Sequence, residues 1–577
     1  MRKMKLWLAG LVLFMAQAKA QPTFPVNGVA SPGSGAYAFT NATIVKDSKT
    51  TLTNATLVIR DGRIVAVGSG VAVPKDAVVI DCKEKYIYPS FIDIYSEYGM
   101  PARQQGRGGF DFRAPAQLET NVKGAYGWNQ ALKADAAAGS LFAPDDAKAK
   151  GLREAGFGAV LTHQQDGIAR GTGAVVTLAG ERANLVMVKD KASAHYSFSK
   201  GSSTQSYPGS LMGTISLLRQ TYLDAQWYKS NPKAEGVNLT LKAWNDQQNL
   251  PQIMDPTQGG DLWNTMRADR IGDEFGVQYI IKASGKEYQR IPEVAGTKAP
   301  LIVSLNYPAA QDVEDPNDAR YVSLADMKHW EMAPSNPAAL EKAGVTFALT
   351  MSDVRDGRTF WSNLRKAMEY GLSETTAMDA LTKTPATLLG VYDKVGSLDA
   401  GKLANFVITN GPIFSEKTTI HHNWVQGIPY RIKDDNWYNV NGSYALTVNG
   451  PAGSVKYNLE VKGSNSAEVS ATDTLNTQFS FDGRMVKIGF APRTRRGGGF
   501  GGPGGGGRMG GMMGGAAAPL PASAIRLSGV NNGDVWQGTG LDSLGNTLTW
   551  SAVRTKEATP KSDSAAKKAA PQIGANL

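Results

Sequence analysis

The feature that most narrows what this chain can fold into is the texture of residues 91–393, where short apolar strand runs alternate with helical stretches. Ala159-Val160-Leu161, Gln278 to Ile281, Leu301 to Leu305 and Thr346 to Met351 read as strands, while Met212 to Ser230 and Ala338 to Ala343 read as helices. Alternation sustained over that length predicts an α/β domain, a (β/α)8 TIM-like barrel with insertions. The 42% apolar content of the 577 residues is enough for sizeable cores and excludes a wholly disordered chain.

The flanks have a different texture. Tyr37-Ala38-Phe39, Ala42 to Val45, Ala55 to Ile59 and Arg63 to Val67 are β-rich, and Asp61-Gly62 between the last two is a hairpin signal, so a small antiparallel sheet is expected. After the barrel region, Val395 to Ile408 returns to strand and turn chemistry. Residues 436–555 alternate as Tyr457 to Val461 and Arg484 to Ile488 do, which predicts a separate sandwich-like all-β module.

The first twenty residues read as an address. Arg2, Lys3 and Lys5 precede an apolar run from Leu6 to Ala16, too short to span a bilayer, and Ala18-Lys19-Ala20 is a small-x-small cleavage pattern. A signal peptide cleaved near Ala20 is expected, with the protein exported to the periplasm or the exterior. Removing those four cations and no acid lowers the formal charge from +10 to +6, a balance that favours solubility rather than a particular partner. No later stretch is apolar enough for a membrane helix. The single cysteine, Cys82, has no intramolecular disulfide partner and sits in the apolar run Val78 to Cys82, so a buried, inert thiol is expected.

KYIYPSFIDIYSEYG, from Lys85 to Gly99, resembles the segment leading into the barrel of the amidohydrolase superfamily, whose pattern there is roughly G-x-x-V-x-P-G-F-I-D-x-H-x-H. The preceding NATIVKDSKTTLTNATLVIRDGRIVAVG and the later TKTPATLLGVYDKVGSLDAGKLANFVI resemble the same family in order and spacing, in the manner of its imidazolonepropionase-like branch. The resemblance covers about residues 35–430. It implies a barrel at 91–393 flanked by one small composite β-sandwich made from residues 21–90 and 394–435. The all-β module then occupies 436–555 with a Gly-rich insertion at 496–515, followed by a disordered tail at 556–577.

The resemblance also implies a site. In the family the H-x-H pair on the first barrel strand, further histidines or acids on central strands and an Asp after the last strand hold a divalent metal, which acidifies bound water while the Asp moves a proton. Here Tyr95 and Glu97 stand at the two H-x-H positions. Asp255 and Lys282 fall where central ligands belong, and Asp353 matches the final Asp. His occurs only at 163, 195, 329, 421 and 422, none in H-x-H spacing. His163 follows a barrel strand and reads as a structural or mouth-facing side chain, and His421-His422 as a solvated pair. Asp353 also has a purely structural reading, holding its loop through backbone N–H groups.

A phenol is a poor ligand at neutral pH, so no metal or other cofactor is expected. The first reading is therefore a catalytically impaired, exported barrel used for binding a small molecule or for pairing with a second copy or an intact paralogue. Tyr95, Glu97, Asp255, Lys282, His163 and Asp353 would line its mouth. The alternatives are an active hydrolase of C–N bonds with Zn, Mn or Mg held by carboxylates, Asp353 being catalytic, and an envelope-binding module carried by the C-terminal β domain. The Arg/Gly block within 496–515 suggests RNA-binding composition, but an exported protein meets little RNA, and no nucleic-acid partner is expected.

Overall fold

The computed structural model describes residues 35–102, 115–234, 236–257, 261–433, 440–451, 453–463, 466–481, 485–492, 524–531 and 535–557. The expected signal segment, the Gly-rich insertion and the tail from 558 onward lie outside the described residues. The chain divides into two units, residues 1–433 and 434–577.

In the first unit, β1 (Ala36–Asp47), β2 (Thr50–Arg60), β3 (Arg63–Gly68), β4 (Val78–Asp81) and β5 (Tyr86–Pro89) precede the barrel. They join β14 (Phe406–Thr409), β15 (Ile420–Val425) and β16 (Ile428–Arg431), which follow it, in one eight-stranded sheet. The composite arrangement is real: β5 pairs antiparallel with β14, with Ile87 opposite Ile408. The sheet is mixed rather than purely antiparallel, because β4 and β5 both run parallel to β1. Phe39, Phe406 and Trp424, from β1, β14 and β15, meet at ring centroids 5.0–5.6 Å apart and form its core. Cys82 is fully buried beside it, as expected.

The barrel follows directly. β6 (Phe91–Ser96), β7 (Phe157–Thr162), β8 (Ala169–Thr177), β9 (Met187–Ser197), β10 (Gln252–Asp255), β11 (Tyr279–Lys282), β12 (Leu301–Ser304) and β13 (Phe347–Thr350) lie side by side in sequence order. Every residue of β7 and β8 is buried, and for β7 this is why Ala159-Val160-Leu161 reads as an apolar run rather than an alternating one. The surrounding helices follow from local signals. In Leu211–Ser230, Ser210 accepts from the Gly213 N–H as N-cap, and Leu217, Leu218, Thr221, Tyr222 and Ala225 bury one face.

The regular repeat breaks at the third strand. β8 runs antiparallel to both β7 and β9, whereas the remaining neighbours pair in parallel. Only residues 163–168 join β7 to β8, too few for the crossover a parallel pair requires. Reversal brings the start of β8 to the end of the barrel where its neighbours finish, with Ala169 opposite Tyr196 and Gly171 opposite His195. The segment Arg170-Gly171-Thr172-Gly173 makes this close approach possible. A Cβ on Gly171, whose φ is +74°, would sit 1.9 Å from the Ala136 carbonyl oxygen, and one on Gly173 would sit 2.5 Å from His195 Nε2.

Side chains finish the closure between first and last strands. Thr350 Oγ1 donates to Asp93 Oδ1 at 2.5 Å and the Met351 N–H to Asp93 Oδ2 at 3.3 Å, tying β13 to β6.

In the second unit, β17 (Gly442–Gly450), β18 (Gly453–Gly463), β19 (Ser466–Ser470), β20 (Asn476–Phe481), β21 (Met485–Ala491), β22 (Ile525–Asn531), β23 (Val535–Leu541) and β24 (Thr547–Glu557) form one antiparallel meander. β24 pairs back onto β17, and the edge strands β19 and β20 meet through the Ser470–Thr474 bridge and a Val469 N–H bond to Thr477 Oγ1. The sheet thus closes on itself, where two packed sheets were expected from the alternation alone. Tyr444, Phe479, Phe481, Trp536 and Trp550 fill its interior.

Gly171→Ala is expected to destabilise the first unit by about 2 kcal/mol or more, from left-handed strain plus the carbonyl clash. Gly276→Ala, also at positive φ but with open space around its Cβ, is expected to cost only about 1 kcal/mol. Urea denaturation of the two variants checks the difference.

Candidate functional site

The C-terminal strand ends converge on one group of side chains. Tyr95 lies at the end of β6 and is fully buried. Its hydroxyl donates to Asp255 Oδ2, at the end of β10, over 2.7 Å, and accepts from Arg170 Nη1 at 2.7 Å. The same Arg170 nitrogen reaches Asp255 Oδ2 at 3.0 Å, so guanidinium, phenol and carboxylate form a closed triangle. The second oxygen of Asp255 is also used: Thr257 donates to Oδ1 through its hydroxyl at 2.5 Å and its N–H at 3.2 Å. Lys282, buried at the end of β11, places Nζ 4.5 Å from the centre of the Tyr95 ring and 2.7 Å from Asp353 Oδ2.

Asp353 sits in the loop after β13 in a left-handed conformation, φ +66°, which an Asp tolerates better than most residues. Its loop is anchored by Ser304 Oγ donating to the Ser352 carbonyl at 2.6 Å. The Asp353 carboxylate is therefore spent on Lys282 rather than on backbone N–H groups. Its side chain remains 52% exposed and is the most open member of the group.

Of the residues singled out by sequence, Tyr95, Asp255, Lys282, Asp353 and His163 come together, and Glu97 stands on the exposed rim just beyond β6. His421 and His422 do not join them. They lie half-buried in β15 of the flanking sheet. His163 packs edge-on to Tyr95 at 4.6 Å and stacks on His195 at 3.6 Å, with 10° between ring planes. His195 Nε2 meets Ser193 Oγ at 2.8 Å. Both imidazoles are buried.

Arg170, His195 and Asp93 are site residues that the sequence did not single out. The available signal was the arginine itself, a permanent charge between Ala169 and Gly171 at the start of an otherwise uncharged run, a position that demands a buried partner. Asp93 stood inside the quoted FID segment but carried no expected role.

Burial sets the electrostatics. It pushes the Tyr95 phenol well above its usual value; Arg170 pulls against this, Asp255 reinforces it, and the phenol stays protonated. Burial also opposes ionisation of Asp255, but the Arg170 and Lys282 cations outweigh it and hold that carboxyl well below the usual range. His195 is driven well below its ordinary value by burial and by Arg170, so it is neutral. Asp93, almost fully buried, is pushed up to about 6 by burial, against its three hydrogen-bond donors. Among the described residues no group of three or more His, Cys, Asp or Glu side chains is arranged to hold a metal ion.

Two stability measurements follow from this charge pattern. Asp255→Asn leaves Arg170 buried without its counter-charge and is expected to cost about 3–5 kcal/mol in urea denaturation, whereas Arg170→Met with Asp255→Leu is expected to cost less than the single change. Asp93 and Asp255 act in opposite pH directions. With its folded value raised to about 6, the stability Asp93 contributes is present below pH 4 and lost as pH rises to about 6, up to roughly 3 kcal/mol. Asp255, depressed in the fold, contributes above the ordinary carboxylate range and loses that contribution as pH falls. Asp93→Asn is expected to remove the downward component between pH 4 and 6 from a stability-versus-pH series.

Comparison with known proteins places this geometry. The profile described as Amidohydrolase family matches residues 325–438, which include β13, Asp353 and the return to the flanking sheet. Imidazolonepropionase from Aeromonas hydrophila is 38% identical over 78 residues, 13% of this chain and 19% of that relative's length. The crystal structure of an amidohydrolase from Thermotoga maritima MSB8 superimposes with a TM-score of 0.54 at 21% identity, covering 68% of this chain and all of that one, a likeness of fold. With the order of flanking sheet, barrel and flanking sheet and an Asp after the last barrel strand, these findings make the chain similar in sequence to amidohydrolases around its last barrel strand and like one of them in fold.

Proposed function

We propose that this protein is an exported amidohydrolase-superfamily barrel whose hydrolytic centre has been replaced by internal ion pairs, and that its mouth binds rather than hydrolyses. The observation that carries this reading is Arg170, whose Nη1 lies 2.7 Å from Tyr95 Oη and 3.0 Å from Asp255. In the family a divalent cation neutralises the acids at this end of the barrel. Here two fixed cations, Arg170 and Lys282, do so from within the chain.

The residues present do not fit a metal. A phenol held protonated by burial is not a ligand, and its position beside a guanidinium adds repulsion for any incoming cation. Asp255 already accepts from Tyr95, Arg170 and Thr257, and Asp353 already pairs with Lys282. His163 and His195 face each other ring on ring, an arrangement that does not direct two nitrogens at one ion.

What remains accessible is the rim, where half-exposed Asp353 pairs with buried Lys282 and Glu97 is exposed just beyond β6. Such a rim suits a small polar ligand that adds to the ion-pair network without displacing it. Export is supported by the basic start, short apolar run and Ala18-Lys19-Ala20 pattern. Among the described residues no helix is long and apolar enough to cross a membrane.

Metal analysis of the purified protein, before and after incubation with Zn²⁺ or Mn²⁺, is expected to find only background metal, and assays on cyclic amides and dipeptides no turnover above the uncatalysed rate. Asp353→Asn is expected to change neither result. Stoichiometric metal together with amide turnover abolished by Asp353→Asn would overturn this reading in favour of a hydrolase of C–N bonds with a carboxylate-held metal.

A further inference from the structure

The second unit carries a groove that the barrel's chemistry does not involve. Its volume is about 880 Å³, and it is lined by residues of β19 to β24. That volume lies in the range of small-ligand sites.

Strand register explains its surface. Ser480 on β20, Lys487 on β21, Ser528 on β22 and Thr539 on β23 are direct cross-strand partners in one row. Gln478, Gly489, Arg526 and Leu541 form the next row, and Leu541 continues to Thr547 on β24. Ser480, Lys487, Arg526, Ser528 and Thr539 are exposed, whereas the intervening Phe479, Ile488 and Leu527 point into the core. Gly489 leaves a gap in the second row between Gln478 and Arg526. The lining therefore offers hydroxyls and an amide at strand spacing, about 4.8 Å apart, with two cations as diagonal neighbours about 7–8 Å apart.

Two absences from this lining give it a preference. It contains no Asp or Glu, and among the described residues neither Lys487 nor Arg526 has an acidic partner. The cations thus face the groove uncompensated, in a unit whose other exposed lysines include one already paired, Lys462 with Glu468. The single aromatic residue in the lining, Phe479, is buried, so no ring is presented for a base to stack on, which disfavours a single-stranded nucleic acid.

We propose that this groove binds an acidic polysaccharide, with Lys487 and Arg526 holding its carboxylates and the serine and threonine row meeting its hydroxyl groups. The site lies wholly within the second unit and does not rest on the reading of the barrel.

The test is calorimetric titration of the full chain with polygalacturonate, with dextran as the uncharged control and duplex DNA as a polyanion without sugar carboxylates. Binding of polygalacturonate that exceeds both controls is expected, with affinity falling as salt rises. Lys487→Gln with Arg526→Gln is expected to weaken it roughly tenfold or more. Lys83→Gln with Lys456→Gln removes two exposed charges elsewhere and is expected to leave it unchanged. Unaltered thermal melting of the groove variant excludes misfolding as the cause. No binding of polygalacturonate, equal binding of duplex DNA, or equal loss in the two double variants would each overturn the proposal.

Discussion

One guanidinium organises the mouth of this barrel. Arg170 stands where it can bond to the Tyr95 hydroxyl and the Asp255 carboxylate at once, and those two groups bond to each other. Three polar groups that would each be costly to bury alone satisfy one another. Lys282 repeats the solution on a smaller scale, joining Asp353 from two strands away and lying over the Tyr95 ring. Acids buried at the mouth of a barrel need positive charge beside them. In this chain the charge is covalently attached and cannot dissociate.

The backbone makes Arg170 available. A parallel third strand would begin at the opposite end of the barrel, and its first residues would lie far from the mouth where the neighbouring strands finish. Reversing β8 moves that start to the mouth, and the glycines at 171 and 173 let the strand press against Ala136 and the His195–Ser193 pair without a clash. Chain direction, glycine placement and the charge that fills the site are therefore one structural feature. The stacked His163–His195 pair fits the same logic: with a permanent cation beside it, the imidazole of His195 stays neutral and serves as packing.

Much of the fold was legible because periodicity is a local property. The strand runs of the barrel, the helix at 211–230, the return to strands after residue 395 and the β-rich C-terminal region are set by apolar spacing and turn residues. The pairing of β4 and β5 parallel to β1, and the closure of the second unit into one curled sheet instead of two, were not legible, since pairing depends on partners distant in sequence. In the site, Tyr95, Asp255, Lys282 and Asp353 could be placed through the family resemblance. Arg170 could not, because in a regular (β/α) barrel every strand is parallel, and a parallel strand there would carry it away from them.

By itself the sequence determined that Tyr95 and Glu97 stand at the two positions where the resemblance implies imidazoles. That is a matter of residue identity at motif positions, which needs no coordinates. Only the tertiary structure decided what stands in their place. Whether two charges compensate each other depends on a separation of about 3 Å inside a low-dielectric core. A separation of that kind, between residues 95, 170 and 255, arises only when β6, the reversed β8 and β10 are brought to the same end of the barrel.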